Sequence, residues 1–205
     1  VIELDESRDL VHAQLGAALE DRWDQIVTQN RNDSPYQADA TSIARRSLHH
    51  LAMDYLGASV QIREPQTAWN LYYDLYQRCD NLTDRLFAFS RLLRLEASFA
   101  EQKSLLIQDF FDRFHTSPLV TDKWFSTQAS CMVSGTLPRI IELTNHPEFN
   151  LHNPNRARAL LVSFATVNHR EFHRPDGKSY TFLANEILKL DSLNPQVASR
   201  ICAPL

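Results

Sequence analysis

The chain has 205 residues, 43% hydrophobic and 22% charged, the make-up of a globular protein with length for one large or two small domains. A formal net charge of -4 and a pI near 6.1 offer no basic field to hold a phosphate backbone, which argues against a nucleic-acid partner. No apolar run nears the roughly 18 residues that cross a bilayer, and the amino end, Ile2-Glu3-Leu4-Asp5-Glu6, is not a signal peptide.

Four glycines in 205 residues leave the chain poor in the residue that tight β-turns need. Helical spacing of apolar residues is frequent instead. Taken in chain order, Leu15, Leu19, Trp23 and Ile26 are spaced to share one helix face, as are Leu82, Leu86, Phe89 and Leu93. Leu106, Phe110 and Phe114 repeat the pattern, followed by Leu160, Phe164 and Val167. Four cap-proline pairs, Ser34-Pro35, Ser117-Pro118, Asn153-Pro154 and Asn194-Pro195, predict helix starts, because proline at the first helical position forfeits no intrahelical bond. Further starts are expected near Asp5, Thr67, Asn81, Ser98, Ser134 and Lys178, giving about ten short helices. Asp176-Gly177 marks a loop.

Helix pairs of this length have nearly the spacing of HEAT or armadillo units, although no repeated signature survives. Leu92, Leu93 and Leu95 beside Phe87 and Phe89 place apolar residues on more than one side of a helix, which suits two packed layers. The expected fold is all-α: a two-layer α-solenoid of short antiparallel helix pairs, forming one domain over residues 1–205.

No reaction centre assembles from the motifs. His169-Arg170-Glu171-Phe172-His173 sets two histidines four apart, but Glu171 falls about 200° round a helix from His169 and cannot serve as base at a metal they share. No third ligand stands at a fixed spacing, so polar loop-edge residues are the preferred reading. Of the adjacent His49 and His50, one is expected partly buried and the other solvated. No G-x-S-x-G elbow or Gly-rich phosphate loop occurs. Cys79, Cys131 and Cys202 are odd in number and far apart, which predicts buried inert thiols in a reducing cytoplasm rather than a disulfide framework or metal site. Trp69, Tyr72, Tyr73 and Tyr76, at helical spacing, are read as core packing.

The carboxyl-terminal half is more specific. Asp122-Lys123-Trp124-Phe125, His146-Pro147 with Phe149, Asn153-Pro154-Asn155-Arg156-Ala157-Arg158, Phe172-His173 with Asp176-Gly177 and Tyr180, and Asn194-Pro195-Gln196-Val197-Ala198-Ser199-Arg200 follow one another in an order and spacing that resemble the C-terminal helical domain of bacterial aminopeptidase N. Asn81-Leu82-Thr83-Asp84 extends the likeness, which runs from about Arg45 to the end. The resemblance implies a zinc metallopeptidase that removes single amino acids from peptide N-termini. Its zinc would sit in a catalytic domain whose H-E-x-x-H and amine-gating motifs are absent from this chain. This domain would then be non-catalytic, packing on the catalytic domain of the same polypeptide and enclosing a cavity for peptide substrates. It also implies further helices on either side, in keeping with the absence of an initiating Met.

By the same resemblance Arg158, Gln196 and Arg200 match residues lining that cavity, with no catalytic or metal-binding residue in the chain itself. Gln196 and Arg200, four apart, can share a helix face and bind a peptide carbonyl or carboxylate. Arg158 lies in a first helical turn, where the macrodipole disfavours a cation, so a compensating contact is expected. Asp122 and Lys123 are read as an N-cap and a helix-face charge, and Trp124 as core. The alternative is a free-standing HEAT-like scaffold that binds a protein partner on its concave face.

Overall fold

The computed structural model describes residues 2–31, 34–95 and 97–205. Among them every regular element is helical: α1 (Ile2–Ala18), α2 (Glu20–Asn30), α3 (Ala40–Arg63), α4 (Pro65–Arg78), α5 (Leu82–Arg94), a 3₁₀ turn (Ala97–Phe99), α6 (Ala100–Phe114), α7 (Pro118–Ala129), α8 (Thr136–Leu143), α9 (Pro154–Ala157), a π-helical segment (Arg158–Val162), α10 (Ser163–Val167), α11 (His169–Phe172), α12 (Lys178–Asp191) and α13 (Pro195–Ile201). These segments outnumber the ten expected because several predicted helices are interrupted. The chain divides into two compact units, one over Glu6–Lys103 and one over Ser104–Leu205 with the chain's first few residues.

In the Glu6–Lys103 unit α3 packs against α2 and α4, and α4 against α5. Ala52, Met53 and Leu56 of α3, Trp69, Tyr72 and Tyr76 of α4, and Phe89, Leu92 and Leu93 of α5 form the core, while Tyr73 is exposed. Close approach is set at Gly57, where an added Cβ would lie 1.9 Å from the Tyr72 Oη. That hydroxyl donates to the Met53 carbonyl at 3.1 Å, and burial raises its pKa. Polar side chains tie the same helices together. Arg91 pairs with Asp54 at 2.5 Å, and His50 Nε2 lies 2.7 Å from Asp84 Oδ1 with its ring stacked 4.0 Å from Phe87. His50 is therefore held by a carboxylate instead of being solvated, whereas His49 is buried.

Two expectations fail here. Ser34-Pro35 starts no helix, because the following backbone is bonded elsewhere: the Tyr36 N–H donates to Asp80 at 2.7 Å, and the Gln37 carbonyl accepts from Arg46 at 2.9 Å. The helix begins instead after Asp39, whose carboxylate accepts from the Ser42 N–H at 3.0 Å. Leu19 is not within a continuous helix either. The chain turns there between α1 and α2, and the Trp23 indole donates to the Leu15 carbonyl at 3.2 Å. Leu15 and Leu19 are exposed.

In the Ser104–Leu205 unit α7 packs on α8, α9, the π segment and α10, and α13 packs on α12 and the π segment. Trp124, Phe125, Ile140, Leu160, Leu161, Phe164, Leu183 and Leu190 fill its core. The Trp124 indole donates to the Ile107 carbonyl at 3.0 Å, so this tryptophan is both buried and satisfied. Val167, expected on the apolar face, is exposed at the end of α10.

Candidate functional site

Arg158, Gln196 and Arg200 all lie in the second unit, on two elements in mutual contact, the π segment and α13. Both helices start as their sequences predict. Asn153 accepts from the Asn155 and Arg156 N–H groups at 3.0 and 3.3 Å, with Pro154 next in the helix. Asn194 accepts from the Val197 N–H at 3.1 Å, again with proline following. On α13, Ala198 and Ile201 turn into the core while Gln196 and Arg200 are exposed.

Arg156 and Arg158 stand two residues apart and differ completely. Arg156 is buried, its Nε donating to Asp122 Oδ1 at 2.6 Å and its Nη1 to the Glu148 carbonyl at 2.5 Å, with the guanidinium 5.0 Å over the Phe125 ring. Arg158 is exposed, and its Nε donates to the Pro154 carbonyl at 3.0 Å. A carbonyl is the compensating contact that a cation in a first turn calls for. No carboxylate of the described residues pairs with Arg158 or Arg200 within 4.0 Å. Their guanidinium groups remain open to an anionic or carbonyl ligand.

Asp122 is no N-cap. It sits inside α7, where Ser117 precedes Pro118, and it serves as the half-buried partner of the buried Arg156. Residue spacing could not reveal this, since the pair is separated by 34 positions. Asn168 is a second missed residue: fully buried, it donates to the Ala129 and Cys131 carbonyls at 3.0 and 2.8 Å and accepts from the Glu171 N–H at 3.2 Å.

The His169 and His173 rings stack at 5.9 Å with planes 7° apart, and His173 Nδ1 lies 2.6 Å from the Tyr180 hydroxyl. Burial, then the neighbouring His169 charge, lowers the His173 pKa. Glu171 points into the protein, accepting from the Leu137 N–H at 3.4 Å and from Arg174 at 3.3 Å. Among the described residues no group of three or more His, Cys, Asp or Glu side chains could hold a metal ion. Cys79 and Cys131 are buried free thiols, but Cys202, one residue past α13, is exposed, contrary to the inert-core reading. No helix of the described residues is long and apolar enough to cross a membrane.

Helices packed in succession, with outward polar side chains, define a helical-repeat architecture among the described residues. The chain belongs to the family described as "Domain of unknown function (DUF3458_C) ARM repeats", whose model matches residues 1–205. It is similar to aminopeptidase N of Caulobacter vibrioides, 34% identical over 201 residues and 97% of this chain, and to that of Escherichia coli, 33% identical over 204 residues and 100% of this chain. The chain spans 22% of the length of these curated relatives. It is also similar in structure to part of Legionella pneumophila aminopeptidase A, solved in complex with aspartic acid, with a TM-score of 0.84 and 25% identity over 97% of this chain and 23% of that one. The resemblance to the C-terminal helical domain of bacterial aminopeptidase N thus holds along nearly the whole chain.

Proposed function

We propose that the chain is the non-catalytic helical domain of an aminopeptidase N-like zinc metallopeptidase that removes N-terminal amino acids from peptides. In this reading it covers the catalytic domain of the same polypeptide, in the cytoplasm, and Arg158, Gln196 and Arg200 line the space through which the substrate passes. Zinc belongs to that other domain, where it would polarise the scissile carbonyl and activate water. The observation that carries the reading is similarity to aminopeptidase N over 97% to 100% of this chain. The exposed placement of all three residues on two elements in contact, with both guanidinium groups lacking a carboxylate partner, supports the cavity role. No specific observation favours a free-standing scaffold.

The test uses the full-length protein that carries this chain. Arg200→Ala is expected to raise KM for a tetrapeptide several-fold, while leaving hydrolysis of a small aminoacyl anilide and the melting temperature almost unchanged. Parallel loss of anilide activity, peptide activity and melting temperature would show Arg200 to be merely structural. Absence of any aminopeptidase activity would sink the larger reading.

A further inference from the structure

Residues 154–167 bury Arg156, Leu160 and Phe164, each four residues on from the last, and Asn168 continues the series. Ala157, Leu161 and Ala165 form a second buried row with the same spacing. An α-helix advances 100° per residue, so a four-residue step overshoots a full turn by about 40°, and the two steps from Arg156 to Phe164 would accumulate about 80°. An unbroken α-helix would therefore set Arg156 about 80° round from Phe164, towards the edge of the buried face. The π segment over Arg158–Val162 brings the two nearly into line, because i→i+5 bonding accommodates one additional residue in a turn, worth about 100°.

Two anchors enforce this widened turn. Downstream, Leu160, Leu161 and Phe164 are fully buried, on elements that pack against α7. Upstream, Asp122 of α7 grips Arg156 at 2.6 Å, and the Glu148 carbonyl and the Phe125 ring complete its surroundings. Arg158 is the first residue of the π segment, between the anchors, and α13 with Gln196 and Arg200 packs on that segment. Its outward direction thus depends on the extra residue being taken up where it is.

We infer that Asp122 and Arg156 are positioning residues: by fixing the register of the π turn they aim the Arg158 guanidinium at the peptide, which rests on the cavity role proposed above. They act only through Arg158 and touch no substrate. The test is a double-mutant cycle in the full-length protein, reading kcat and KM for a tetrapeptide and, separately, for an aminoacyl anilide. Arg158→Ala is expected to raise the tetrapeptide KM about fivefold, and Asp122→Asn about threefold, with the anilide unaffected. In the Arg158→Ala background Asp122→Asn should add nothing. If Asp122→Asn so weakens the fold that kinetics fail, Arg156→Lys, which keeps the charge but loses the guanidinium fork, takes its place in the cycle. Effects that multiply, or an anilide rate that falls alongside, overturn the positioning role while leaving the cavity reading intact. A neutral Arg158→Ala overturns both.

Discussion

A buried base is accommodated differently at Arg156 of one unit and at His49 of the other. In the Ser104–Leu205 unit Arg156 is enclosed by a carboxylate, a carbonyl and an aromatic face, so its charge is matched where water is excluded. In the Glu6–Lys103 unit His49 is buried with a ring nitrogen that has no hydrogen-bond partner, and it is kept neutral instead: burial first, then the His50 and Arg78 charges, lowers its pKa to about 4. An arginine cannot shed its proton, so a buried one must be paired; a histidine can, and tolerates a poorer site. The same chain thus shows both solutions to burying a base.

Breaking the paired solution has the largest expected effect. Arg156→Ala leaves Asp122 mostly buried and the Glu148 carbonyl without its donor, and should destabilise by about 3 kcal/mol, measured by urea unfolding. Asp122→Asn should cost less, since its amide oxygen can still accept from the Arg156 Nε and only the counter-charge is lost.

The neutral solution predicts a pH dependence. His49 in the folded state has a pKa below its ordinary 6.5, so between pH 6.5 and about 4 the unfolded chain binds a proton that the folded chain does not. Stability should therefore fall as pH drops through that window, by about 2 kcal/mol once solvent screening is allowed for, and level off below it. His49→Leu should flatten this part of the stability curve; an unchanged slope would mean that His49 is already protonated in the native state. The smallest effect belongs to a helix end. Asn81→Ala removes the acceptor of the Asp84 N–H and the donor to the Asp84 carboxylate that His50 contacts, with an expected loss of about 1 kcal/mol in the same unfolding assay.

How far the sequence could be read follows from the range of each interaction. Ser117-Pro118, Asn153-Pro154 and Asn194-Pro195 all precede real helices, because a proline suited to the first turn, joined at Asn153 and Asn194 by a side-chain cap, acts within four residues. Ser34-Pro35 misleads because Asp80 and Arg46, distant in sequence, claim the backbone beside it. The four-residue spacing of Leu160 and Phe164 was visible, but a short apolar pattern does not distinguish a π turn from an α-helix whose face is wide. Arg158, Gln196 and Arg200 were reached by resemblance to a family, whereas their exposure and the contact of their elements required the fold. The Asp122–Arg156 pair lay wholly beyond local patterns.

Gly57 carries a consequence of another kind. With the phenol oxygen of Tyr72 occupying the place of a Cβ, the spacing of α3 and α4 is gauged by one hydroxyl resting on bare backbone. The information at position 57 is the absence of an atom, and every other amino acid would enter as a wedge between two helices.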